Sequence, residues 1–152
     1  ADAAETLRRR GELPEGWATP ERVAPLEQFL TTPIAAEMSA AGAALEREAS
    51  FSLKLPAVEL ARFWPEAGAL DAEEWVLVQG QIDALWPRAK GEWIVLDFKS
   101  DRVADAAALQ QRAAHYGPQL ALYRTAATRL WGASRVECLL YFLRPGAAVR
   151  ID

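Results

Sequence analysis

At 152 residues the chain has the size of one domain around one buried core. Its 51% hydrophobic and 25% charged residues describe an ordinary globular protein, and no apolar run approaches the roughly 20 residues that would cross a membrane. The formal charge of −4 excludes a strongly basic nucleic-acid binder, although an acidic balance suits a carboxylate-built metal site. A phosphate grip would then come partly from elsewhere, as in a module of a larger machine.

Cys138 is the single cysteine, which excludes an intrachain disulfide and a cysteine-built metal centre. The Ala/Glu/Arg-rich start is not a secretory signal, so a cytoplasmic protein is the expectation. The start at Ala1-Asp2-Ala3-Ala4 without methionine, and the stop at Asp152 inside an apparent strand, are expected of a domain cut from a longer polypeptide.

Residues 5–31 are polar and punctuated by Pro14, Gly16 and Pro20. A short helix is expected near 20–31, where Val23, Leu26, Phe29 and Leu30 share an apolar stripe. Pro33 begins a second short helix, ending near Ser39. From Ala44 to Leu55 the pattern alternates: Leu45, Arg47, Ala49, Phe51 and Leu53 against Glu46, Glu48, Ser50, Ser52 and Lys54, as in a strand with one wet face. Residues 56–74 read as a loop with some helix. Strands are expected over Trp75–Trp86 and Glu92–Ser100, joined as a hairpin through Pro87–Gly91. Residues 103–116 read as helix, broken near Gly117-Pro118, with a second helix to about Trp131 that stops at Gly132. Strands over Arg135–Leu143 and Ala147–Ile151 close the chain. The sum is a mixed α/β (α+β) domain with a central sheet flanked by helices: a helical part over 1–43 and a core over 44–152.

The chemistry concentrates in two strands. Residues two apart on a strand share a face, so Asp97 and Lys99 point together while Ile94, Leu96 and Phe98 bury the other side. Lysine is scarce, with Lys54, Lys90 and Lys99 against fourteen arginines, which marks Lys99 out. Asp83 lies on the partner strand, across the hairpin from Asp97. Two converging carboxylates repel unless a cation joins them, and hard oxygen ligands with water suit Mg²⁺, or Mn²⁺ as a substitute. A lysine beside such a metal orients water or offsets charge on a phosphate. Taken alone, an Asp-x-Lys triplet is more often a surface ion pair worth about 0–1 kcal/mol. Gln119 and Tyr123, four apart, share a face of the second helix, with Tyr116 one turn earlier. That stripe either packs or supports the carboxylates.

In order, Gly80-Gln81-Ile82-Asp83, Leu96-Asp97-Phe98-Lys99-Ser100-Asp101 and Gln119-Leu120-Ala121-Leu122-Tyr123 resemble the RecB-like branch of the PD-(D/E)xK nucleases. In that branch a Gly-x-x-Asp strand, an Asp-x-Lys strand and a Gln-x-x-x-Tyr helix follow one another. Upstream Glu46-Arg47-Glu48-Ala49-Ser50-Phe51 and closing Cys138-Leu139-Leu140-Tyr141-Phe142 resemble the C-terminal nuclease domain of AddA-type helicase–nucleases, and the likeness covers roughly residues 20–152. It implies a restriction-endonuclease-like fold and metal-dependent DNA exonuclease chemistry in double-strand-break repair by recombination. Asp83 and Asp97 would bind the metal, with the Phe98 carbonyl and Glu48 as further candidates, and Lys99 would be the catalytic lysine. Gln119 and Tyr123 would be the supporting pair. A solvated strand-face carboxylate stays open as the other reading of Glu48.

The resemblance also implies partners: DNA, an AddB-like protein, and helicase domains of the same polypeptide, through which alone ATP would enter. No Gly-x-x-x-x-Gly-Lys-Ser/Thr loop occurs in this chain. The branch carries a metal-binding histidine on an upstream helix, whereas the single histidine here, His115, precedes Tyr116 and reads as a helix-surface or DNA-facing residue. A fragment cut just after that helix would bind metal weakly and be inactive. Two alternatives remain open: a non-catalytic DNA-binding or scaffold relative, and a stand-alone nuclease of the Cas4 or phage-exonuclease kind. Trp75, Trp86 and Trp93 around the hairpin and Trp131 at a helix end suit core or interface packing.

Overall fold

A computed structural model describes residues 6, 9–12, 14, 16–71 and 73–151. The expectations for residues 1–4 and for Asp152 lie outside the described residues. Five strands form one sheet in the order β1-β2-β3-β4-β5: β1 (Glu46–Pro56), β2 (Trp75–Ala89), β3 (Glu92–Lys99), β4 (Arg135–Phe142) and β5 (Ala147–Ile151). All neighbours run antiparallel except β3 and β4. That parallel step needs a crossover, which the helices α4 (Ala106–His115) and α5 (Gly117–Leu130) supply. The sheet is therefore mixed, as expected.

Each face of the sheet has its own apolar layer. On one side, Phe51, Leu53 and Leu55 of β1, Val95 of β3 and Leu140 and Phe142 of β4 pack against Leu120, Tyr123 and Ala127 of α5. On the other, Trp86, Ile94, Leu96, Leu139 and Tyr141 meet Phe29 of α1 (Pro20–Leu30) and Ala35 of α2 (Pro33–Ala40). Of the stripe expected on α1, Phe29 alone is buried, with its ring edge-on to Phe98 and Tyr141, whereas Leu26 and Leu30 are exposed. The helix touches the sheet at one end and carries the rest of its stripe into solvent.

Local signals explain where the helices begin. The Thr32 hydroxyl accepts from Ala35 N at 3.2 Å and Asp105 Oδ1 from Ala108 N at 2.8 Å, each satisfying a free N–H of a first turn. The break between α4 and α5 falls at Tyr116, one residue earlier than Gly117. Pro118 sits in the first turn of α5, where its missing N–H costs nothing. Residues 56–74 hold a short helix, α3 (Ala57–Leu60), and a 3₁₀ turn (Pro65–Ala69), the mixture expected there. Among the described residues no helix is long and apolar enough to cross a membrane.

Candidate metal and nucleic-acid site

The site forms where two strands part. β2 pairs with β3 through Ala84↔Leu96, and the next level holds Asp83 and Asp97. There β2 leaves β3 and continues beside β1 alone. The side-chain alternation slips by one residue at that level. Ile82 packs on the α5 side while Ala84, two residues on, packs on the α1 side. β1 slips in the same place: Leu45 belongs to the α1 side and Ala49 to the α5 side. Between them Glu48 has φ 49°, the one described non-glycine residue with positive φ. A left-handed backbone at a residue with a Cβ is costly, and such conformations gather at functional sites. Arg47 pairs with Ala84 and Ala49 with Ile82, so Glu48 stands level with Asp83.

The fork brings the two aspartates and Lys99 together. Asp83 Oδ2 accepts from Phe98 N at 2.8 Å, so the aspartate caps the free edge of β3 where pairing ends. Asp97 is 3% exposed, and its neighbour Asp83 adds a like charge. Burial pushes the Asp97 carboxyl above its ordinary titration range, Lys99 opposes this, and Asp83 adds to it. The Lys99 ammonium lies 2.6 Å from Asp97 Oδ2, yet that buried oxygen has no aligned hydrogen bond. The contact is an ion pair, and Oδ2 retains capacity for a harder cation.

Helix α5 holds the lysine from the other side. Gln119 Oε1 accepts from Lys99 Nζ at 3.1 Å, while Gln119 Nε2 donates to Asp97 Oδ1 at 3.3 Å and to the Tyr123 hydroxyl at 2.7 Å. The amide thus bridges the carboxylate, the ammonium and the phenol. Burial, with the charges of Asp97 and Asp83, raises the Tyr123 phenol above its ordinary range and keeps it neutral. Lys99 Nζ also lies 4.0 Å from the centre of the Tyr116 ring, a cation–π contact that fixes the stem. The Tyr116 hydroxyl in turn donates to Asp101 Oδ2 at 3.0 Å, and Arg112 Nε meets Asp101 Oδ1 at 2.6 Å.

Most sequence candidates therefore meet: Asp83, Asp97, Lys99, Gln119 and Tyr123 form one contiguous group around the start of β3's free end. Glu48 is exposed, and its carbonyl accepts from Gln81 Nε2 at 3.1 Å. Among the described residues no group of three or more His, Cys, Asp or Glu side chains is close enough to hold a metal. Protein carboxylates therefore number two, which suits a cation that keeps several waters. His115 ends α4 on the surface, away from the aspartates' hydrogen bonds. Sequence reasoning missed Asp101, whose tie to Tyr116 steadies the Lys99 contact; nothing in its spacing separates it from a surface acid. Cys138 is buried, with its thiol pushed up to about 11 by burial, and is inert packing.

The glycine of Gly80-Gln81-Ile82-Asp83 has a steric cause. A Cβ at Gly80 would lie 2.6 Å from Phe51 Cζ, because the Phe51 ring covers the glycine and meets Tyr123 edge-on at 5.8 Å. The motif thus seats the aromatic pair behind Gln119.

Known proteins carry the same pattern. The profile of the PD-(D/E)XK nuclease superfamily matches residues 2–150. An ATP-dependent helicase/nuclease of Oceanobacillus iheyensis, in its AddA-type polypeptide, is 37% identical over 77% of this chain and 9% of its own length. Its counterparts in Geobacillus thermodenitrificans and Geobacillus kaustophilus are 35% and 33% identical over 74% and 85% of the chain. The chain spans about a tenth of the length of these curated relatives, 9–10%. Among solved structures, that of SSO0001 aligns over 99% of this chain and 59% of its own at 15% identity, with a TM-score of 0.47. With its mixed five-stranded sheet and a profile match along nearly its whole length, the chain belongs to the PD-(D/E)XK nuclease superfamily, as a nuclease-like domain of the AddA kind.

Proposed function

We propose that this domain is the metal-dependent DNA exonuclease of an AddA-type helicase–nuclease, acting during double-strand-break repair by recombination. The observation that carries the reading is the buried Asp97 Oδ2, level with a second carboxylate and lacking an aligned hydrogen bond. Leaving such an oxygen unsatisfied in the interior is costly, and a structural protein gains nothing from it.

The donor set fits Mg²⁺, with Mn²⁺ as a substitute. Asp83 and Asp97 would hold it, the Phe98 carbonyl and Glu48 being further candidates, and waters and a DNA phosphate would complete the shell. When bound, the cation supplies charge neutralisation at the phosphate and makes water more acidic. The chain's own residues do the rest. Lys99, held between Gln119 Oε1 and the Tyr116 ring, presents a fixed positive charge where charge builds on the phosphate. Gln119 keeps Asp97 and Lys99 in register, and Tyr123, kept neutral, orients the amide. Asp83 ties its carboxylate to the β3 backbone, which fixes one oxygen and leaves the other to the cation.

In the whole polypeptide the DNA would arrive unwound by attached helicase domains that use ATP, with an AddB-like protein as partner in the bacterial cytoplasm. The test is cleavage of end-labelled single-stranded DNA with Mg²⁺ or Mn²⁺, by the chain and by the full polypeptide. Asp97→Ala and Lys99→Ala are each expected to lower the rate by about 10²-fold or more. Unchanged cleavage in both variants would refute the assignment and favour a non-catalytic DNA-binding or scaffold role for this domain.

A further inference from the structure

Beside the carboxylates, a groove of about 600 Å³ opens between the 57–74 segment and the junction of α4 with α5. Its inner wall is Gln119 and Tyr123, the pair bonded to Asp97 and Lys99, so the groove runs directly to the site. Its outer wall is Phe63 and Trp64, and the Trp64 indole is 42% exposed with no hydrogen-bond partner. An exposed tryptophan facing a groove, on a segment with no buried role for that side chain, presents a free aromatic face. At the other end His115 lines both this groove and a second hollow of about 530 Å³ that holds Arg102, Gln111 and Arg112. Arg112 is committed to Asp101. Arg102 is exposed and has no carboxylate partner among the described residues.

The ends differ in charge. Glu66 stands on the Trp64 wall and disfavours phosphate there, whereas Arg102 favours it at the far end. In a chain of net charge −4, an unpaired arginine at the mouth of an aromatic groove is a local exception. Aromatic faces with a cationic rim match a strand whose bases are free to stack; a duplex hides its base faces in its own stack.

We propose that this groove is a subsite for single-stranded DNA, with a base stacked on the Trp64 indole and a phosphate farther along the strand held by Arg102. His115 lies between them, against the sugar–phosphate chain. The subsite takes its direction from the nuclease reading of Asp83 and Asp97, and it explains what the 57–74 segment does: it holds the strand against α5 as it passes the carboxylates.

The experiment measures binding of a fluorescent thymidine oligonucleotide to the chain by anisotropy in EDTA, and cleavage of the same oligonucleotide in Mn²⁺. Trp64→Ala is expected to weaken single-strand binding by about tenfold, the size of one base–aromatic stack, while Trp64→Phe retains it. Arg102→Ala is expected to lower the slope of log affinity against log salt by about 0.7, one phosphate contact on a single strand. A duplex of the same sequence should bind the parent chain and Trp64→Ala alike. If Trp64→Ala and Arg102→Ala both bind as the parent does, the subsite is refuted whatever the cleavage, and the Trp64 face belongs to a neighbouring protein surface. If Trp64→Ala does not fold, the Trp64→Phe and Arg102→Ala results decide in its place. Binding through Trp64 and Arg102 without any cleavage would keep the subsite and overturn the nuclease reading; cleavage without a Trp64 effect would do the reverse.

Discussion

Lys99 is the residue on which the chemistry turns, and its position is fixed four times over. Asp97, Gln119 and Tyr116 all touch its ammonium, and Asp101 steadies Tyr116 from behind. A lysine stem is rotamer-rich, and ordering it costs up to about 2 kcal/mol, so a surface ion pair alone does not hold one. Gly80 acts at one remove. With a Cβ 2.6 Å from Phe51 Cζ, Gly80→Ala must displace a ring that is 5% exposed and packed on Tyr123. Overpacking of this kind costs about 1–3 kcal/mol. Urea unfolding is expected to show a loss in that range. A variant as stable as the parent would mean that the ring is free to move and that the glycine answers to something else.

At the scale of elements, the α1–α2 layer is held to the sheet by a polar clamp as well as by Phe29. Glu37 of α2 accepts from Arg88 Nε at 2.9 Å, from Arg88 Nη2 at 2.9 Å and from Trp86 Nε1 at 3.1 Å. Arg88 also meets Glu137 of β4, so one guanidinium joins α2, β2 and β4. The Arg88 hydrogen bonds hold the Glu37 carboxyl below its ordinary range against the effect of burial, with Trp86 adding to them. The folded carboxyl releases its proton more readily than the unfolded one. Its contribution is therefore present above the unfolded titration near pH ~4.3 and is lost as pH falls through the lower folded value. Both side chains keep about a third or more of their surface in water, which limits the gain to about 0.5–1 kcal/mol. Glu37→Gln should thus be less stable than the parent by that amount at pH 7, with the gap closing toward pH 3 in urea midpoints. A gap independent of pH would show that the clamp acts by shape alone.

Elements of this kind were legible in the sequence to very different degrees. The hairpin of β2 and β3 was, because period-two alternation puts Asp97 and Lys99 on one face and the short link sets Asp83 opposite. The Gln119–Tyr123 face was, because four residues make one helical turn. The slip at Glu48 and Asp83 was not. Its cause is one left-handed backbone angle at a glutamate, which no residue preference announces. The half-exposed stripe of α1 was misleading for a related reason: periodicity shows which residues share a face, and only the packing shows how much of that face is covered. Trp86 and Trp64 look alike in sequence, yet one is buried with its N–H on Glu37 and the other walls an open groove.

For the whole molecule, the layers divide the work. The α1–α2 side of the sheet is a packed support, with the phenol of Tyr141 buried there beside Phe29. The α5 side carries the carboxylates, the lysine and the groove. The sheet is continuous from β1 to β5, and its one fork, between β2 and β3, is where the chemistry sits. A fork leaves backbone groups and carboxylates facing a gap, which is unfavourable for stability alone and useful when a cation and a phosphate must enter. The central claim is that Asp83 and Asp97 form one cation site, and calorimetric titration of the chain with Mn²⁺ tests it most directly. The parent should bind with measurable heat, and an Asp83→Asn, Asp97→Asn variant that still unfolds cooperatively should show none. Equal heats from both proteins, or no heat from the parent, would contradict the claim.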